Sequence, residues 1–523
     1  MRLINLLIWF CLSVFSITAW AQGSPDPLRE KLVELPLPNS DEVVIKLMFD
    51  NGSISDPPGK EGLTYATAKL VAQGGTAKLS YSQIQDLIYP MAASYGAHVD
   101  KEVTVFTFRV HKDFLARFYP IIKGLILTPG FNENDYLRLK TSQQNYVDQV
   151  IRASSDEEYS KKALEDLLFR GTNYQHMKQG KSATVKSISL QDIKGHYHEF
   201  FTRNNLRIGI AGNYSREFLQ QLIADMSQLS DRQPTLPVPG TANNPDGIRV
   251  EIIAKPGAFG SAIFTGAPLS ITRADGDFAA LMVANSWLGE HRKAYSDLYQ
   301  KIREQRSMNY GDYSYIEWYE DGGSHMLPPS GVPRHSNYFS IWIRPVQIAK
   351  QLQQQYPELA GVRIGHAHFA LRMAIRELDK LIKNGMSEQD FEATRTFLRS
   401  YTRLYAQTPA SRLGYLMDSR FYGRKDYLAE LDGLLAGLTL SDVNKAIRKY
   451  WRADNMFVTI VTDISEAKPL ADSLLHNTPS PMSYSNQVAA GLSDELKQED
   501  KQVADYQLNV KSVKIVQSKD TFQ

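Results

Sequence analysis

Residues 62–76 read GLTYATAKLVAQGGT. Leu63, Ala66, Leu70 and Val71 recur at helical spacing, so residues 61–73 are expected to form an amphipathic helix with these four side chains inward. Positions i, i+3 and i+4 of a helix share one face, and here that face carries Tyr65, Ala68 and Lys69. A phenol with an ordinary pKa of about 10 is a poor metal ligand while protonated. Lys69 is normally a cation and repels a divalent metal. Ala68 has no group that could move a proton. A phenol, a methyl group and an amine on one face make neither a metal site nor a general base.

The rest of the chain sets the context. Its 523 residues suffice for two to four domains. A formal net charge of +2 gives no basic field for nucleic acid and no acidic field of the kind that marks a disordered tail. Residues 1–21 read as a secretory signal peptide. Arg2 supplies the positive start, residues 3–18 are largely apolar and uncharged, and Ala19-Trp20-Ala21 forms the cleavage site before Gln22. The alternatives are an uncleaved anchor or a lipoprotein, the latter disfavoured because bulky Ile8-Trp9-Phe10 precede Cys11. Cys11 is the only cysteine, so the mature chain is expected to owe nothing to disulfides or thiol chemistry. No later apolar run is long enough to span a bilayer. These features predict a soluble protein exported to a periplasm.

Two halves follow the signal. In the first, 43–49 reads as a strand and Asn51–Lys60 as a turn-rich loop. Helices are expected at 81–94, 112–126, 132–152, 156–169, 188–203 and 216–230. His98–Val110 alternates like paired strands, and Leu206–Ala211 reads as another strand. Residues 231–247 hold four prolines and two glycines without any period, and mark the linker between an N-terminal domain over 24–230 and a C-terminal domain over 248–465. The second half loosely repeats the order: strands near 249–254 and 260–266, helices at 273–287 and 292–305, strands near 308–318 and 337–344, long helices over 362–450, and a strand at Met456–Val461. This plan predicts an α+β fold of two homologous sandwich domains, each a mainly antiparallel sheet covered by helices. The extension 466–523 ends in imperfect alternation at Val510, Val513, Ile515 and Val516, which suggests a final strand or strap.

Four segments in register resemble the insulinase/pitrilysin-type metallopeptidases. FDNGSISDPPGKEGL leads into the 62–76 stretch; LFRGTNYQHMKQGK, NNLRIGIAGN and LYQKIREQRSMNYG follow in the family's order. The resemblance covers roughly residues 30–465. It implies two such domains forming half of a clamshell. In active members the helix carries H-x-x-E-H, two zinc-binding imidazoles and a general base. Here the histidine positions hold Tyr65 and Lys69 and the glutamate position holds Ala68. The third ligand, a glutamate, falls near Gln144, Asn145, Tyr146 and Val147, with Asp148 the nearest carboxylate. No metal is therefore expected on this chain.

The resemblance also implies a role for Arg303 and Tyr310. In the family, such a pair is donated from the second domain to hydrogen-bond substrate carbonyls and hold the tetrahedral intermediate, a task that suits a fixed cation and a neutral donor. The plain alternative is a surface arginine and a packed tyrosine. The usual Gly-Leu between the pair is Ser307-Met308 here. Extended peptides in the family add a strand to a sheet edge beside the zinc helix. In this chain that edge is expected within His98–Val110, Glu102–Phe108 being compatible, the alternative being an interior strand. Trp287-Leu288-Gly289-Glu290-His291 resembles a damaged H-x-x-E-H, but Gly289 disfavours a helix and a loop is expected. The pairs His196/His198 and His366/His368 read as surface histidines, because i, i+2 residues of a helix point apart.

Some bacterial members of the family are built as two chains, one bringing H-x-x-E-H and the other Arg/Tyr. This sequence resembles the second kind. It is expected to be an exported non-catalytic subunit that meets an extended peptide together with an H-x-x-E-H partner, zinc belonging to that partner. The alternative is a non-enzymatic peptide-binding or scaffold protein derived from a peptidase. A hydrolase with a relocated metal site has no supporting cluster.

Overall fold

A computed structural model describes residues 27–319 and 330–523. The expected signal peptide, its expected cleavage site and Cys11 lie outside the described residues.

Eleven strands form two sheets among the described residues. The first contains β1 (Leu32–Pro36), β2 (Glu42–Phe49), β3 (Ser94–Val99), β4 (Thr104–His111) and β5 (Leu206–Gly212), in the spatial order β1-β5-β2-β4-β3. The second contains β6 (Ile248–Lys255), β7 (Ser261–Leu269), β8 (Asp312–Tyr315), β9 (Asn337–Val346), β10 (Phe457–Asp463) and β11 (Val510–Gln517), ordered β11-β6-β10-β7-β9-β8. With β11 set aside, the two sheets match strand for strand. Each starts with one parallel pair, β1 with β5 and β6 with β10, and continues through three antiparallel pairs. The repeat inferred from the pattern is a repeat of topology.

The C-terminal residues complete the second sheet: β11 lies parallel to β6 with one register shift between Val510 and Ser512. Beyond it the tail returns to the first half. The Ser182 N–H donates to the Phe522 carbonyl at 3.0 Å, and Arg152 donates to the Thr521 carbonyl at 2.8 Å.

Alternation on β2 explains the layers. Val43, Ile45, Leu47 and Phe49 point into a core shared with the first half's helices. Val44 and Met48 point the other way, into a larger core shared with the second half. Two helices cross between the halves. The Asp156–Leu168 helix, from the first half, packs on β7 and β10, whereas the Pro409–Phe421 helix, from the second, packs on β1, β2 and β5. Gly209 on β5 permits the second approach: a Cβ there would lie 2.4 Å from the Met417 sulfur. No helix among the described residues is long and apolar enough to cross a membrane.

Three expectations need correction. The edge strand beside the 62–76 helix is β3, whereas Glu102–Phe108 enters β4, an interior strand between β2 and β3. Trp287, Leu288 and Gly289 form the last turn of the Phe278–Gly289 helix, and the expected loop begins only at Glu290; Gly289 is required because a side chain there would clash with the Ser314 amide. His196, His366 and His368 are buried, and only His198 of the four is exposed.

Candidate functional site

The helix of the degenerate motif spans Leu63–Gln73. Its N-cap, Gly62, sits at φ 98° and offers no side-chain acceptor. Asp56 supplies one from the preceding loop. Its carboxylate accepts from the Gly62 and Thr64 amides, both at 2.7 Å, and from the Thr64 hydroxyl at 2.6 Å. A carboxylate at the positive end of a helix satisfies orphan N–H groups and favours the helix dipole. His176 Nε2 lies 3.2 Å from the same carboxylate, and His196 Nε2 lies 2.9 Å from the Thr64 hydroxyl. Burial lowers the His196 pKa to about 4, so its ring is neutral. This buried cluster anchors the helix. The sequence reading missed it, although Asp56 in a Pro-Pro-Gly loop before an uncapped helix was a signal.

Tyr65, Ala68 and Lys69 fall on that helix, where they give a divalent metal nothing to bind. Ala68 is fully buried in the first-half core. The Lys69 amine lies 5.3 Å from the centre of the Tyr65 ring and donates to the Ala97 carbonyl of β3 at 3.2 Å. Burial first, and then the charge of Lys178, lower its pKa. An ammonium, a phenol and a methyl group do not fit zinc. At the third position, Gln144 donates to Asp148 at 2.5 Å and to the Ser182 hydroxyl at 2.9 Å, and Asp148 lies 3.6 Å from Arg152. That carboxylate is part of a polar clasp near the C-terminal tail. Among the described residues, no group of three or more His, Cys, Asp or Glu side chains could hold a metal ion. The Glu290 and His291 side chains of the damaged motif are buried, His291 against Tyr315 and Tyr313.

Arg303 and Tyr310 line one open groove of about 530 Å³ in the second half, and none of the three degenerate motif residues borders it. Arg303 lies on a wide helical turn, Tyr299–Glu304, with i→i+5 bonding of a kind often found at functional sites. Its guanidinium lies over the Tyr299 ring at 5.2 Å and donates to Glu304 at 2.5 Å. Tyr310 is 80% exposed. The turn between them is held firmly. Ser307 takes the left-handed conformation at φ 52°, its amide donating to the Arg303 carbonyl at 2.7 Å. Met308 is buried, and Asn309 donates to Asp312 at 2.8 Å and to the Arg344 carbonyl at 3.0 Å. Phe259, at the tip of the β6–β7 connection and 84% exposed, forms another aromatic wall of the groove. Nothing in the sequence marked Phe259, because its place depends on the β6–β7 connection meeting segments distant in sequence.

Residues 33–180 match the insulinase family, peptidase family M16, and residues 187–341 match the peptidase M16 inactive domain. A non-peptidase homolog of Helicobacter pylori, YmxG, is 20% identical over 430 residues, covering 81% of this chain and 90% of that protein. An uncharacterised zinc protease of Streptomyces coelicolor is 21% identical, covering 80% of this chain and 84% of that protein. A solved peptidase M16 inactive domain from Pseudomonas fluorescens superposes with a TM-score of 0.68 at 18% identity, covering 83% of this chain and 95% of that one. With both halves matched in order and the duplicated sheet topology in place, the chain belongs to the insulinase (M16) peptidase family.

Proposed function

We propose that this chain is a non-catalytic subunit of a heteromeric zinc peptidase, exported to the periplasm, which supplies Arg303 and Tyr310 to a partner carrying H-x-x-E-H. One observation carries the reading. Arg303 and the exposed Tyr310 share an open, firmly supported groove, while Tyr65, Ala68 and Lys69 offer no ligand set. The guanidinium and the phenol are donors suited to a substrate carbonyl that gains negative charge when water is excluded. Metal and general base would belong to the partner. The test is a quenched-peptide assay of this chain, an H-x-x-E-H family member from the same genome, and the two mixed. Hydrolysis is expected only where the partner is present, and is expected to fall with Arg303→Ala or Tyr310→Phe while co-purification persists. Strong zinc-dependent cleavage by this chain alone, or unchanged turnover in both variants, would defeat the reading.

A second reading, a peptide-binding protein without a catalytic partner, draws support from the placement of Lys69. Its amine reaches the Ala97 carbonyl of the edge strand β3, so the degenerate helix remains coupled to the edge where an extended peptide could pair.

A further inference from the structure

We propose that Lys69 anchors the C-terminal carboxylate of a peptide laid along the open edge of β3. The inference rests on the peptide-binding reading and specifies which peptides that edge would take. Among the described residues β3 is hydrogen-bonded on one side only, to β4, and is the last strand of its sheet. Such an edge presents backbone donors and acceptors to an incoming strand. A side chain built on Gly96 of this strand would meet nothing within 4 Å among the described residues, so the face of the strand at that point is open.

Lys69 stands at that edge at the level of the main chain, because its amine bonds a main-chain carbonyl, Ala97 O, at 3.2 Å. An ammonium has three donors, and that bond takes one. Among the described residues the other two have no protein acceptor. The Tyr65 ring flanks the cation at 5.3 Å. Burial and the cation Lys178 both lower the Lys69 pKa. A partly buried ammonium placed so favours an anion.

Geometry selects which anion. Side chains of a paired strand stand perpendicular to the sheet, so an Asp or Glu carboxylate of the added strand points away from the edge. The negative group that lies in the plane of the main chain is the terminal carboxylate. The degenerate site thus reverses the preference of the family's site: a cation fixed in the protein replaces a bound metal, and the ligand brings the negative charge.

The probes are a fluorescein-labelled randomised octapeptide pool ending in a free carboxylate and the same pool ending in an amide, titrated against the full mature chain by anisotropy. The free acid is expected to bind at least about tenfold more tightly, the scale of a hydrogen bond to a charged group. Lys69→Met is expected to abolish that preference, and Lys69→Arg to retain it. Equal binding of both pools by the unmodified chain overturns the proposal and leaves the peptide-binding reading standing. Binding of neither pool overturns both. Because the acid-to-amide comparison is made on the unmodified chain, misfolding of a variant does not remove the test.

Discussion

Arg334 grips Asp100 through two parallel hydrogen bonds, Nε to Oδ2 at 2.5 Å and Nη2 to Oδ1 at 2.7 Å. Asp100 lies in the turn between β3 and β4, so the pair ties the second half to the strand proposed to receive peptides. The same guanidinium donates to Glu165 at 3.0 Å and covers the Trp318 ring at 3.9 Å. Next to it, the His335 amide and ring bond Glu102 at 2.6 and 2.5 Å, and Tyr174 donates to the same carboxylate. Removing one partner of a buried bidentate pair strands the other charge. Arg334→Ala or Asp100→Ala is expected to cost about 3–5 kcal/mol. The double variant is expected to cost less than the sum of the singles, since each removes the same interaction. Chemical denaturation of the three variants measures this, and strict additivity would show that the pair is not coupled.

Acid sensitivity follows from the buried histidines. Burial lowers the pKa of His196 to about 4 and of His368 to about 3. In the unfolded chain both titrate near 6.5. Between those values the unfolded chain binds more protons than the folded one, so each histidine makes stability fall as pH falls below 6.5, by about 1.4 kcal/mol per pH unit. Glu466 acts in the opposite sense, because burial raises its pKa to about 7 despite two backbone N–H donors. The informative quantity is therefore a difference. His196→Gln or His368→Gln is expected to lose less stability than the unmodified chain between pH 6.5 and 5. Parallel melting curves over that range would contradict the neutral assignment.

Much of the fold was legible because its signals are local. The strand at 43–49, the helix at 63–73 and the Arg303–Tyr310 turn all carry their period or motif within a dozen residues. The edge strand was misplaced for a physical reason. SYGAHV holds Gly, Ser and Ala and has weak strand propensity, whereas VTVFTFRV has the strong alternation of an interior strand. Edge strands need less apolar surface, so the better pattern belonged to the more buried neighbour. The histidines were misread because i, i+2 geometry says that two side chains diverge, not that both reach water. The Asp56 cluster, Phe259 and the Arg334–Asp100 pair join segments distant in sequence, which no window of residues contains.

Restoring the family's motif residues is expected to fail as a route to activity. Tyr65→His, Ala68→Glu and Lys69→His together return H-x-x-E-H, but Ala68 is fully buried in an apolar core. A carboxylate forced there without partners costs several kcal/mol or gives up its charge. The third position would still offer Asp148, held by Gln144 and near Arg152. The triple variant is expected to melt earlier than the unmodified chain, to take up less than stoichiometric zinc in dialysis with metal analysis, and to hydrolyse no peptide. Stoichiometric zinc retained by a fully folded triple variant would mean that the helix alone sets the site.

Ser307 offers the opposite kind of test, a substitution expected to help. Its φ of 52° places an L-residue in the left-handed region, at a cost of roughly 1–2 kcal/mol that glycine avoids. Glycine also adds freedom to the unfolded chain, so the net gain of Ser307→Gly is expected to be about 0.5–1 kcal/mol. The gain should arise without moving Arg303 or Tyr310, because the Ser307 amide bonds the Arg303 carbonyl, Met308 is buried, and Asn309 bonds Asp312 and the Arg344 carbonyl on the far side of the turn. Ser307→Val, β-branched and stiff, is expected to lose stability at the same position. Thermal melts order the three chains Gly, Ser, Val if the turn is held as described. A glycine variant less stable than the serine chain would show instead that the serine side chain contributes a bond worth more than the backbone strain it imposes.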